Sequence, residues 1–349
     1  MSTFAHAIRD ALHEALAADP RVICYGLGVP DPKGIFGTTQ GLQDTFGPER
    51  VFDMPTSENA MTGIAIGAAL TGSRPVMTHQ RLDFFLLAMD QLVNGAAKWH
   101  YTSAGRLQVP LTIRLLIGRG WGQGPTHSQS LQAWFTHIPG LKVVMPATTA
   151  DAKGLLLAGI FDDNPVVFLE HRWLYNQPGD IPEGNERIPL GQAAVLREGT
   201  DVSLIGYSYM TVEALRAADH LAEHGVQAEV IDLRTLSPMD WESVFTSVRK
   251  TGRCLALDTS WATGSFAGEV VARTAMDCWA DLKDAPRRIA LPDVPVPAGY
   301  SLTRSFYPGA ESIVRGVESM LNKDLSAEAL AMPPDRHHDV PGDSFTTPF

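Results

Sequence analysis

The chain is poor in cysteine: three in 349 residues, Cys24, Cys254 and Cys278, far apart and without metal-ligand spacing. Neither a disulfide framework nor a zinc site is expected, and a reducing, cytoplasmic setting fits best. No uninterrupted apolar run reaches the roughly 20 residues that span a bilayer, so no membrane segment is expected. Positive charge is scarce as well. Lys and Arg number 28 against 39 Asp and Glu, a formal net charge of −11 with no basic run, which argues against a nucleic-acid surface. The first residues carry acidic side chains and no long apolar stretch, so a secretory signal is not expected there.

Nucleotide-binding signatures are missing too. The glycine-rich run at 118–124 is not Gly-x-x-x-x-Gly-Lys-Ser/Thr, nor a complete dinucleotide Gly-x-Gly-x-x-Gly unit with a distal acid. It reads better as a substrate-facing loop with Arg119 and Trp121 as contacts; surface charge and interface packing are the alternative.

What is present is an alternation of elements. Residues 4–18 repeat apolar positions at helical spacing and stop at Asp19-Pro20, and 22–25 reads as a strand. Strand-like segments follow at 51–52, 74–77, 109–117, 142–145 and 165–170, separated by a helix at 61–70, a long amphipathic stretch at 84–101 and a helix at 149–161. After a proline- and glycine-bearing break at 176–187, a second series runs strand 201–206, helix 211–224, strand 228–233, helix 240–251 and strand 254–258. This order predicts two three-layer α/β/α domains with mostly parallel sheets, at residues 1–185 and 186–329, and a tail at 330–349.

Two residues stand out chemically. Glu58 sits at the mouth of a helix rich in small residues, where it either complements the helix N-terminus or holds a proton for a cofactor. His127 ends the glycine-rich loop and precedes Ser-Gln-Ser, an arrangement that exposes polar groups at the carboxyl edge of a sheet. Phe84 and Phe85 are candidates for core packing or for a cofactor platform.

Several stretches together resemble one family. They are Met-Pro-Thr-Ser-Glu-Asn-Ala-Met-Thr-Gly around Glu58, Asp-Gln-Leu-Val-Asn-Gly-Ala-Ala-Lys from Asp90, His-Ser-Gln-Ser-Leu-Gln-Ala-Trp-Phe from His127, Val-Ile-Asp-Leu-Arg-Thr-Leu-Ser-Pro-Met-Asp from Val230 and Leu-Pro-Asp-Val-Pro-Val-Pro from Leu291. Over nearly its whole length the chain resembles the beta subunit of the thiamine-diphosphate-dependent 2-oxo acid dehydrogenase first component, a transketolase-like class.

The resemblance implies a mechanism. Glu58 matches the carboxylate that shares a proton with N1′ of the aminopyrimidine and so activates the cofactor to attack a 2-oxo acid, release carbon dioxide and pass the acyl group to a lipoyl acceptor. Phe84 matches the aromatic packed on the pyrimidine, Gln80 falls at a second pyrimidine neighbour, and His127 matches the active-site histidine. That histidine is implied to orient the carboxylate, to stabilise the decarboxylated intermediate, or to assist acyl transfer. By position, Leu111, Gly159, Ile160, Asp162 and Asn164 correspond to a monovalent cation site, with K+ held mostly by backbone carbonyls; an ordinary helix end and turn is the alternative.

Two departures matter. Thr78-His-Gln-Arg-Leu-Asp-Phe-Phe replaces the Glu-Phe-Met-Thr-Phe-Asn-Phe of pyruvate-type relatives, which makes His79 and Arg81, with Arg119 and Trp121, candidates for an unusual substrate pocket or a partner contact. The Gly-Asp-Gly…Asn-Asn signature for diphosphate and Mg2+ is absent. The resemblance assigns it to an alpha subunit and implies an α2β2 heterotetramer. A split transketolase-like carboligase and a noncatalytic scaffold for an alpha subunit are the competing expectations.

Overall fold

The computed structural model describes residues 2–118, 122–303 and 305–331. The chain forms two compact α/β units. One comprises the described residues up to Ile117 together with Trp134–Leu190; the other comprises Gly118–Ala133 and the described residues from Gly191 on to 331.

In the first unit the strands are β1 (Val22–Gly26), β2 (Val51–Asp53), β3 (Arg74–His79), β4 (Thr112–Ile117), β5 (Lys142–Val144) and β6 (Val166–His171). They run parallel in the order β5-β6-β4-β3-β1-β2. All six residues of β4 and of β6 are buried, as strands covered on both faces require. The chain moves from β1 outward to β2 and then back to β3 on the other side. Connections lie on both sides of that reversal, and parallel crossovers of the usual right hand put their helices on opposite faces. The helices are α1 (Phe4–Ala18), the short α2 (Gly34–Gly37) and α3 (Leu42–Phe46), α4 (Glu58–Leu70), α5 (Leu82–Phe85), α6 (Ala97–Thr102), α7 (Gln132–Thr136), whose first two residues close the Gly118–Ala133 segment, and α8 (Thr149–Ile160). Phe4, Ile8, Leu12 and Leu16 give α1 one buried face, and Lys153 on α8 meets Glu14 on α1 at 2.7 Å.

The stretch 84–101 is not one regular helix. After α5 it tightens into a 3₁₀ turn at Leu86–Ala88, widens into a π segment at Gln91–Ala96 and returns to α geometry in α6. Asn94 Nδ2 donates to Asp90 Oδ1 at 2.7 Å across the widened turn. A Cβ at Gly95 would stand 3.1 Å from Ile66 Cδ1, so this glycine lets the π segment lie close against α4.

The second unit has β7 (Ala194–Arg197), β8 (Val202–Gly206), β9 (Ala228–Asp232), a short β10 (Thr235–Ser237) outside its sheet, β11 (Cys254–Trp261) and β12 (Arg287–Leu291). The sheet order is β12-β11-β8-β9-β7, parallel except for β7 against β9. Its helices are α9 (Tyr209–Glu223), α10 (Trp241–Thr251), α11 (Phe266–Asp277), the short α12 (Tyr300–Thr303) and α13 (Ala310–Leu321). Val202, Leu204, Leu255 and Leu257 from the strands pack with Ile313, Val314 and Val317 from α13. Burying each such aliphatic side chain contributes about 1.5–3 kcal/mol. Among the described residues no helix is long and apolar enough to cross a membrane.

Candidate active site

Because the first sheet is parallel, its strands all end on one edge. Register places Gly26 beside Asp53 and Thr78, His79 beside Leu115, and Ile117 beside His171. The loops leaving that edge carry Glu58, Gln80, Phe84 and His127, as open parallel sheets arrange their binding sites.

Glu58 is the first residue of α4 and is 5% exposed. The N-cap, Ser57, makes no side-chain cap bond, so the helix start is not closed in the usual way. Among the described residues no hydrogen bond reaches the Glu58 carboxylate. Its backbone carbonyl accepts from Thr62 Oγ1 at 2.8 Å. The helix is tied to its surroundings on both sides: Tyr25 donates to Met61 O at 3.2 Å, and Asn59 Nδ2 donates to Leu87 O at 3.3 Å. The second bond joins the residue after Glu58 to the segment that follows Phe84.

Gln80 leaves β3 and its Nε2 donates to Leu27 O at 3.0 Å. The facing loop fits closely: Gly28, at φ 79°, donates its N–H to Asp53 Oδ1, and a Cβ there would meet Gln80 Nε2 at 2.9 Å. The two phenylalanines separate cleanly. Phe85 is fully buried against Phe135, whereas Phe84 is 38% exposed. His79 is buried edge-on against Phe85, with ring centroids 4.9 Å apart and, among the described residues, no hydrogen-bond partner for Nε2. Burial pushes its pKa down to about 3, so it is neutral. Arg81, the N-cap of α5, is buried as well. Arg119 and Trp121 lie outside the described residues.

His127 belongs to the second unit. It follows a 3₁₀ turn at Gly124–Thr126, is half-buried, and its Nδ1 lies 3.0 Å from Thr126 Oγ1.

The five carbonyl-bearing positions of the cation reading gather where α8 ends beside the start of β4. Leu111 O accepts from Val166 N, Gly159 O from Asp162 N, and Ile160 O and Asp162 O both accept from Arg74 Nη1, at 3.4 and 2.9 Å. Asn164 N donates to Asp162 Oδ1, and Lys142 pairs with Asp162 Oδ2. Each carbonyl has two lone pairs, so these bonds leave acceptor capacity for an ion.

Beneath the edge lies a network that sequence reasoning did not single out. Arg114, in mid-β4, is 0% exposed and grips Glu170 with two bonds, at 2.6 and 2.9 Å. Thr38 and Thr78 accept from the same guanidinium, and Tyr175 donates to Glu170 Oε2 at 2.5 Å. Burial works against the Arg114 charge, but Glu170 more than offsets it and holds the guanidinium above its ordinary pKa. An arginine inside Thr-Ile-Arg-Leu-Leu-Ile was the available signal, since a charge in a buried strand demands a partner.

Comparison with known proteins agrees with this architecture. Residues 1–178 match the family described as "Transketolase, pyrimidine binding domain", and residues 191–313 match "Transketolase, C-terminal domain". The chain is 40% identical over 333 residues to the pyruvate dehydrogenase E1 component subunit beta-2, mitochondrial, of Oryza sativa subsp. japonica, covering 94% of this chain and 89% of that protein. The chain belongs to the transketolase-like beta subunits of the 2-oxo acid dehydrogenase first component. It is also 40% identical, over 317 residues, to the acetoin:2,6-dichlorophenolindophenol oxidoreductase subunit beta of Cupriavidus necator, covering 88% of this chain and 94% of that one. Two relatives of different named substrate thus stand at equal identity. A solved structure, a split-gene transketolase in an inactive beta4 tetramer, matches with a TM-score of 0.75 at 22% identity over 92% of this chain and 98% of that one, a likeness of fold alone. The family is one whose fold binds thiamine diphosphate, and the first unit carries the pyrimidine-side domain.

Proposed function

We propose that the chain is the beta half of a cytoplasmic two-chain enzyme that decarboxylates a 2-oxo acid with thiamine diphosphate and passes the acyl group to a lipoyl-bearing acyltransferase. The observation that carries this reading is Glu58: a nearly buried carboxylate at a helix N-terminus, favoured there by the helix dipole, with no described donor engaging it. Such a group is suited to hold a proton against N1′ of the aminopyrimidine. Phe84, exposed beside its buried neighbour, offers a ring to pack on the pyrimidine; Gln80 keeps its side-chain carbonyl as an acceptor. Thiamine diphosphate, when bound, supplies the electron sink for loss of carbon dioxide. His127 is the second catalytic group, exchanging a proton during decarboxylation or acyl transfer. His79, Arg81, Arg119 and Trp121 shape the substrate pocket or meet the partner. Leu111, Gly159, Ile160, Asp162 and Asn164 offer carbonyls and a carboxylate to a K+ ion.

The diphosphate and its Mg2+ fall to an alpha subunit in an α2β2 assembly. Ile64 and Leu87, 59% and 68% exposed on α4 and the turn after α5, support a subunit surface there. The test is to co-purify the chain with its alpha partner and screen 2-oxo acids by carbon dioxide release and lipoyl acylation. Glu58→Ala is expected to preserve assembly and to lower turnover by roughly 10²–10⁴-fold. Undiminished turnover sinks the role of Glu58. Product from a ketose donor without lipoyl acylation would instead assign the chain to a split carboligase.

A further inference from the structure

The second sheet has its own reversal point. From β8 the chain crosses through α9 to β9 on one side, then through α10 to β11 on the other, and ligands of open α/β sheets bind outside the carboxyl ends at such a point. Ala256 pairs with Ile205, so Asp258 and Tyr207 stand at those ends two residues further on. Both are fully buried. Asp258 is densely bonded: Oδ1 accepts from Ser260 N at 2.8 Å, and Oδ2 accepts from Ala267 N, in the first turn of α11, at 3.2 Å. Burial, and then the charge of Asp258, holds the Tyr207 hydroxyl well above its ordinary pKa.

The remaining bond to Asp258 comes from far away in sequence. Gln132 Nε2 donates to Asp258 Oδ1 at 2.7 Å, and Gln132 is 0% exposed. Gln132 closes the segment Gly118–Ala133, which interrupts the first unit and groups with the second. Its other end is pressed onto the second unit as well. Gly122 and Gly124 take φ 69° and 68°, and a Cβ on them would lie 2.9 Å from Ala298 O and 3.1 Å from Ala298 Cβ. Between these two fastenings stand Pro125 and Gln129, which line a cavity of about 480 Å³ with Trp261, Thr263, Asp293 and Val294. His127 lies between them in the chain.

We propose that Gln132 is a positioning residue for His127, and that the second domain places this side chain where a domain of its fold would hold a ligand. The carboxamide bridges to a carboxylate already fixed by two backbone amides, so the helix start five residues after His127 cannot shift or rotate freely. The proposal rests on the assignment of His127 as catalytic, and the experiment separates the two.

In the complex with the alpha partner, decarboxylation and acyl transfer are measured for the parent, Gln132→Leu, His127→Ala and the double variant, together with thiamine diphosphate affinity. Gln132→Leu is expected to lower kcat of the His127-dependent step by roughly tenfold to a hundredfold while leaving cofactor affinity unchanged. The double variant is expected to match His127→Ala, because a residue acting only through His127 has nothing more to lose. If His127→Ala changes neither step, the assignment of His127 falls, and the proposal with it. If His127→Ala is slow but Gln132→Leu is not, or if the two losses multiply, the positioning role alone is overturned. Should Gln132→Leu fail to assemble, Gln132→Glu decides. Two carboxyls in contact there share one proton, so activity should be present at low pH and fall as pH rises, relative to the parent. A pH profile unchanged from the parent overturns the proposal.

Discussion

Glu170 and Glu58 are both buried glutamates of the first unit, yet their surroundings differ in kind. Glu170 receives two bonds from Arg114 and one from Tyr175, so its charge is fully matched inside the protein. Glu58 has a helix N-terminus behind it and no described donor in front. A carboxylate that is matched internally serves stability. One left unmatched at a sheet edge costs stability, and it persists where something else is to be held there.

Substitutions that interrupt each environment test this contrast. Arg114→Met leaves Glu170 buried without its cation and should cost about 3–5 kcal/mol in denaturant unfolding, whereas Glu58→Ala should leave stability unchanged or improve it. An Arg114→Met chain as stable as the parent would mean that the pair is dispensable. His79 gives the next effect. Its folded pKa of about 3 lies below the unfolded value near 6.5, so the unfolded chain binds the extra proton. The stability tied to neutral His79 is therefore present above about pH 6.5 and is lost, at about 1.4 kcal/mol per pH unit, as pH falls toward 3. His79→Phe should flatten that acid limb in thermal melts from pH 7 to 4; equal slopes would show His79 to be solvated. Tyr175→Phe removes one donor from Glu170 and should cost about 1–2 kcal/mol. Ser57→Ala should cost no more than a few tenths of a kcal/mol, because the side chain caps nothing. A full unit lost there would show that the α4 start is closed by Ser57 after all.

The fold was largely legible wherever periodicity was strong. The apolar repeat of residues 4–18 is α1, the unbroken run before Gly118 contains β4, and the strand and helix alternation after 200 is the second sheet. Two kinds of feature were hidden. The stretch 84–101 keeps an amphipathic pattern while its backbone passes through 3₁₀, π and α geometry, because a pattern of side chains does not report how a glycine approaches Ile66. Within the candidate site, Glu58 and His127 are nominated by local context and family resemblance. Thr38, Thr78, Arg114 and Glu170 are not: none of these partners is near another in sequence, and only the fold brings them together. Gln132 and Asp258, 126 residues apart, are the extreme case.

The excursion of residues 118–133 into the second unit bears on how the protein is made. A chain emerging from the ribosome can form β1 to β4 early, but the bed of that excursion includes Asp258 and Ala298, which are synthesised more than a hundred residues later. The loop bearing His127 therefore settles only after the second sheet exists. A nascent or truncated first unit should fold as a sheet without a seated histidine, so that maturation of this loop marks completion of the whole chain.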